Sequence, residues 1–179
     1  MDTMLLVPVD DSVVFPNMTV TLAIDVGDAE QVLLVPREDG EFASVGTVAE
    51  VSEHVRLPGG GHAVALTGLH RGIAGAAHTD ASGDLRVQVT AHPDDEPVDG
   101  HTRELEREYR AVVEEILELR GDDGRIAAFV RSITEPGTLA DTSGYAPDIG
   151  YEQKVQLLST LDVTERLELA LRLQRERLT

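Results

Sequence analysis

The 179 residues carry 33 Asp and Glu against 15 Lys and Arg, a formal charge of −18, and 41% of positions are apolar. This apolar content suffices for an ordinary core, while the charge disfavours nucleic acid and anionic membrane surfaces as partners, since no basic cluster interrupts it. Cysteine is absent, which removes disulfides, thiolate zinc sites and cysteine nucleophiles; with an acidic start and no apolar run near ~18 residues, a cytoplasmic protein is expected.

The first ninety or so residues read as strands. Alternating or continuously apolar segments occur at 4–9, 18–24, 31–35, 45–51, 62–66 and 85–89. Asp39-Gly40 reads as a tight hairpin, Pro58-Gly59-Gly60-Gly61 supplies positions where positive φ costs little, and the run from Asp80 to Asp84 closes a third turn. Short antiparallel strands at this spacing predict a small, strongly twisted sheet or partly open barrel, not a nucleotide-binding alternation of strand and helix.

His92-Pro93-Asp94-Asp95-Glu96-Pro97 breaks any regular ladder. The expected organisation is a β-rich lobe over 1–95, a linker over 96–101 and an α-helical lobe over 102–179, an α+β chain. A helix is predicted from about Thr102 to Arg120, with Leu105, Tyr109, Val112, Val113, Ile116 and Leu117 on one stripe and Gly121 as its stop. A second, near Arg125 to Ile133, places Ile126, Phe129 and Val130 inward and is closed by Pro136-Gly137. A third lies near Tyr151 to Ser159. The last opens on Asp162 and Glu165, a capping-box-like pair, and meets no terminating residue before Thr179, the pattern expected of a helix that runs on into further chain.

The sequence is poor in catalytic signals. It has no Gly-rich loop followed by Lys and Ser or Thr, no Gly-x-Ser-x-Gly elbow and no His-Glu-x-x-His pair. A serine–lysine dyad would need Lys154, the one lysine, on an exposed helix where nothing depresses its pKa. His54, His62, His70 and His78 recur at eight-residue steps but fall on separate arms and turns, and surface histidines explain them better than zinc does. The acids Asp94, Asp95, Glu96 and Asp99 lack the order of a calcium loop. No catalytic residue, metal or cofactor is expected. What remains is apolar residues in turns: Phe15, Pro16 and Met18 between the first two strands, and Leu57 with Pro58 at a hairpin tip. These five are the candidate contacts for a polypeptide partner, with core packing as the competing reading for Phe15 and Met18.

The segment from Leu6 to Met18, LVPVDDSVVFPNM, resembles the opening strand and turn of the Lon protease amino-terminal (LON substrate-binding) domain. Gly46-Thr47-Val48-Ala49-Glu50-Val51, Arg56-Leu57-Pro58-Gly59-Gly60 and Thr67-Gly68-Leu69-His70-Arg71 resemble its next three segments. In the helical half, the runs from Pro136 to Asp141, Gln156 to Leu158 and Asp162 to Glu168 resemble its closing patterns. The stretch from Ile24 to Glu30 is shorter than the family's usual helix-bearing insert, and Asn17 replaces the usual turn glycine while tolerating positive φ.

The resemblance implies a non-catalytic module of an ATP-dependent serine protease that binds unfolded or damaged polypeptides through exposed apolar surface. It further implies assembly of the full protease as a homo-oligomeric ring, a hexamer in the family. A freestanding binding adaptor of the same family is the alternative, and a small metalloenzyme using the histidines the third reading.

Overall fold

The computed structural model describes residues 2–10, 12–95 and 99–178. The chain divides into two compact units, Met1–Pro93 and Asp94–Thr179. Of the linker expected over 96–101, residues 96–98 lie outside the described residues.

The first unit contains seven strands: β1 (Asp2–Val9), β2 (Thr19–Leu22), β3 (Gln31–Glu38), β4 (Glu41–Phe42), β5 (Val45–Arg56), β6 (His62–Thr79) and β7 (Leu85–His92). They form one sheet in the order β1-β7-β6-β5-β3-β4, with β2 against β6 and a further β1–β3 pairing. The β-rich, twisted-sheet expectation holds, with one correction: β1 and β3 run parallel, from Leu5 opposite Val32 to Val9 opposite Pro36. The chain from β1 through β2 to β3 supplies the long connection that a parallel pair requires.

The apolar runs of β1 and β3 are continuous because both faces are buried. Val7, Val9, Val32 and Leu34 enter one cluster with Val14, Val26, Ala49, Val64 and Leu66. Leu6, Leu33 and Val35 enter a second with Val48, Val87 and Val89. Strand side chains alternate faces, so neighbouring residues serve different clusters.

The expected hairpins form where turn residues allow them. Asp39 and Gly40 both adopt positive φ, at 50° and 83°, the requirement of a two-residue type I′ turn. The strand expected at 62–66 continues to Thr79, so β6 meets β2, β5 and β7 along different parts of its length. Bulges interrupt its pairing with β5 and with β7, and they let one long strand bend to serve three partners.

The second unit comprises α1 (Gly100–Leu119), α2 (Arg125–Ser132), α3 (Pro136–Asp141), a short 3₁₀ turn (Thr142–Tyr145), α4 (Tyr151–Ser159) and α5 (Val163–Leu178). Asp99 caps α1, its Oδ1 accepting from the Thr102 amide at 2.8 Å. Asp162 caps α5, its Oδ2 accepting from the Glu165 amide at 2.9 Å. Each cap satisfies an otherwise orphaned N–H. Leu105, Tyr109, Val113 and Ile116 of α1 and Leu167, Ala170, Leu171 and Gln174 of α5 are buried.

Pro136-Gly137 does not close α2 but opens α3. Proline occupies the first helical position, where its missing N–H costs nothing, and Glu135 before it is extended at φ −86° and ψ 127°. The second correction concerns α2 itself. Only Val130 of its expected inward face is buried; Ile126 is 52% and Phe129 50% exposed.

Candidate functional site

Those two exposed side chains rim an apolar groove of about 480 Å³ within the helical unit. The α1 stripe contributes Tyr109, Val113 and Leu117; the segment after α3 adds Tyr145, Ala146 and Pro147. Phe129 and Tyr145 lie with ring centroids 6.4 Å apart and planes tilted by 31°, a separation at which aromatic rings still attract.

Polar contacts tie together the elements that line the groove. Arg110 donates to the carbonyls of Val130 at 2.8 Å and Ile133 at 2.6 Å, pinning the end of α2 to α1. Arg131 of α2 donates to Glu114 of α1 at 2.8 Å. Deeper in, the Tyr109 hydroxyl lies 2.6 Å from Thr142 Oγ1 and 2.7 Å from Ser143 Oγ, and Ser143 also accepts from Gln174 Nε2 at 2.9 Å. Burial pushes the Tyr109 phenol upward, so it stays a neutral hydroxyl in this network.

One corner of the groove is charged. Arg120, at the end of α1 where a cation suits the helix dipole, donates to Asp148 Oδ2 at 2.7 Å, and Arg177 approaches both oxygens of the same carboxylate at 3.0 Å. The hydrogen bond from Arg120, then that from Arg177, lowers the Asp148 pKa to about 2. A carboxyl more acidic when folded than when unfolded stabilises fully above about pH 4 and loses that contribution as pH falls toward 2. Over that interval the denaturation midpoint of the helical unit should fall less in Asp148→Asn than in the wild type. Because Asp148 is 39% exposed, added salt should shrink the difference.

The five turn residues separate into two groups in the β unit. Phe15 is 0% exposed and Pro16 is buried, so both leave the set of accessible contacts. The reason is local. Thr47 donates to the Val14 carbonyl at 2.6 Å, Asn17 N–H to the Gly68 carbonyl at 2.9 Å, and the Arg71 guanidinium lies 5.9 Å from the Phe15 ring centroid. Asn17 takes φ 75°, the positive value its type tolerates. A Cβ on Gly68 would lie 2.7 Å from the Phe15 carbonyl oxygen, so the turn can dock only on glycine there. Three of the sequence segments that carry the family resemblance thus meet around one buried ring.

Met18 is half-buried, its sulfur accepting from the Phe15 amide at 3.2 Å. Leu57 is half-buried and Pro58 exposed at the β5–β6 hairpin tip. The structure does not bring Met18 and that tip together. Met18 bonds to Gly68, and from His62 at the tip to Gly68 the strand covers roughly 20 Å at about 3.3 Å per residue. Among the described residues no group of three or more His, Asp or Glu is placed to hold a metal ion.

The substrate-binding domain model of ATP-dependent protease La (LON) matches residues 3–175. Lon protease of Chloroflexus aurantiacus is 36% identical over 198 residues, covering 98% of this chain and 24% of that protein. Lon protease of Salinispora arenicola is 36% identical over 181 residues, covering 94% of this chain and 23% of its own length. This chain belongs to the LON substrate-binding domain family.

Among solved structures, the N-terminal domain of Mycobacterium avium complex Lon protease is similar at TM-score 0.85 and 32% identity, covering 98% of this chain and 99% of that one. The Lon N-terminal domain protein of Xanthomonas campestris shares the fold at TM-score 0.67 and 19% identity. The LON domain described here spans about a quarter of the length of the curated Lon proteases it matches. Its groove residues Ile126 and Phe129 lie on an apolar helix face that periodicity alone presents as core.

Proposed function

We propose that this LON domain is a substrate-recognition and assembly module of a Lon-type ATP-dependent serine protease, capturing unfolded or damaged polypeptides through exposed apolar side chains. The observation that carries the reading is the open groove beside Ile126 and Phe129. An unfolded chain differs from its folded form chiefly in the apolar side chains it presents, and a shallow apolar slot accepts them without requiring one sequence. Met18, Leu57 and Pro58 of the β unit serve as additional, weaker contacts. Single contacts of this kind are weak, and a homo-oligomeric ring would convert them into useful avidity. Proteolysis and ATP hydrolysis would reside in other parts of such a protease, in the cytoplasm.

Titration of the protein with a permanently unfolded polypeptide, followed by backbone amide shifts, should give saturable changes concentrated in α2 and around Tyr145. The same polypeptide in its folded form should give none. Phe129→Asp, a change at a half-exposed position, should leave the fold intact and weaken binding about tenfold or more, since it sets a charge inside an apolar slot. Equal responses to folded and unfolded forms, or full binding by Phe129→Asp, would remove the groove from the reading.

A further inference from the structure

The far end of β6 is an ordered strand with one side open. β6 pairs with β5 as far as Ile73, and the Ala74 amide donates to the Ser44 carbonyl at 2.9 Å. Past that point, among the described residues, its strand partner is β7 alone. The direction of each backbone group follows from the hairpin. The Asp80 amide donates to the Asp84 carbonyl at 2.9 Å, so Asp80 faces the β7 side. The N–H and C=O of one strand residue point the same way and alternate from residue to residue, and the pairing of Ala77, His78 and Thr79 with Val87, Arg86 and Leu85 is regular. The backbone groups of Thr79 and Ala77 therefore face the open side.

Gly75, Ala76, Ala77, His78 and Thr79 are all exposed, and the run holds no proline, lysine or acid. Open edges are ordinarily blunted by such residues. The stretch of β5 beyond its β3 pairing follows that rule, carrying Glu53, His54 and Arg56. We propose that the β6 edge at Ala77 and Thr79 takes an extended segment of an unfolded polypeptide as an added strand, main chain to main chain. The inference rests on unfolded polypeptide being the partner of this domain, and it adds a second site that reads backbone where the groove reads apolar side chains. A folded protein satisfies its amides internally, whereas an unfolded one offers them at almost any sequence free of proline. The small side chains of Gly75, Ala76 and Ala77 do not restrict what the added segment carries. At about 3.3 Å per residue the edge over 75–79 spans roughly 16 Å. That length suits a transient strand contact, since two folded chains in a stable complex bury ~1,200 Å² or more.

The test uses one labelled Val-Thr repeat peptide, which has no aromatic residue for the groove, in two forms. The first is N-methylated on alternate residues, which blocks one edge, prevents self-stacking and leaves the other edge able to pair. The second is N-methylated on every residue and has neither edge. Fluorescence anisotropy with the 179-residue protein should show the first binding at least tenfold tighter than the second, with amide shifts centred on Ala77 and Thr79. Thr79→Pro removes a donor that the β6–β7 ladder does not use, a change that an edge strand tolerates. It should weaken the first form about tenfold, while Phe129→Asp should leave that binding unchanged.

Equal affinity for the two forms, or shifts away from Ala77 and Thr79, overturns the edge as a site. If neither form binds while a permanently unfolded polypeptide still gives Phe129-dependent shifts in α2, the edge fails and the groove stands. No response to the peptides or to the unfolded polypeptide removes both. Binding of the first form that a folded Thr79→Pro protein retains in full places the strand contact elsewhere in the sheet and overturns the assignment. Where that variant does not fold, the two peptide forms and their amide shifts on the wild type decide it. Concentration-dependent self-association of the wild type with shifts at Ala77 and Thr79 gives the edge to a second copy of the chain, with the same consequence.

Discussion

Replacing Arg166 by Ala should destabilise the helical unit by about 3–5 kcal/mol, the usual result of removing one member of a buried ion pair and leaving the other uncompensated. Arg166 is 0% exposed. Its Nη1 and Nη2 grip both oxygens of Asp94 at 2.9 and 2.8 Å, Asp141 lies at 3.8 Å, and the carbonyls of Thr160 and Leu161 accept at 2.9 and 3.1 Å. One guanidinium thus joins the residue that opens the unit, the α3 region, the α4–α5 turn and α5. Lysine cannot replace it, because a single ammonium cannot supply the planar fork. The chain has no tryptophan and its three tyrosines all lie in this unit, so tyrosine fluorescence in urea follows its unfolding directly. Asp94→Ala combined with Arg166→Met should lose less than the sum of the single changes, since it leaves neither member of the Asp94–Arg166 pair buried without the other, although the buried Asp141 still loses Arg166. Additive losses would mean that the pair is not coupled.

The same cluster explains a glycine. A Cβ at Gly137 would run into the Asp94 carboxylate and crowd Arg166 Nη1 at 3.2 Å. The Pro136-Gly137 pair, a helix stop by sequence pattern, is a helix start followed by the residue on which the ion pair rests.

How far the sequence could be read depended on whether a signal was local. Strand alternation, the Asp39-Gly40 turn and the Asp162 cap involve residues within a few positions of each other, and they were legible. Arg166 was half legible: a charged residue among Val163, Leu167 and Ala170 on a buried stripe demands a partner. That partner, Asp94, lies 72 residues earlier, in a stretch whose prolines and acids resemble solvated linker. The parallel β1–β3 pairing was hidden for the same reason, since adjacency of strands in sequence favours antiparallel hairpins. The groove escaped through a different gap. Periodicity finds an apolar face on α2 but contains nothing about what covers it, so Ile126 and Phe129 read as core. Phe15 shows the converse. A phenylalanine beside proline in a turn leaves exposure and core packing both open, and the turn folds inward because Thr47, Gly68 and Arg71, each distant in sequence, close over it.

Phe15→Ala should cost about 3–5 kcal/mol of β-unit stability, the range for emptying a fully enclosed aromatic site. The cost is set by what surrounds the ring. The Gly68 contact fixes the backbone on one side, and the Arg71 guanidinium lies over the ring while remaining only 1% exposed; neither can collapse far into the space left behind. Amide exchange of β5 and β6 is the appropriate measure, because this unit holds no tyrosine or tryptophan, and protection there should fall several hundredfold or more as the opening free energy drops. Under conditions where the variant remains folded, its affinity for an unfolded polypeptide should equal that of the wild type, since no accessible surface has been removed. Pro58→Ala, at the exposed hairpin tip, should show little stability change. A Phe15→Ala protein with normal exchange protection and weakened polypeptide binding would reverse the assignment and return Phe15 from the core to the contact surface.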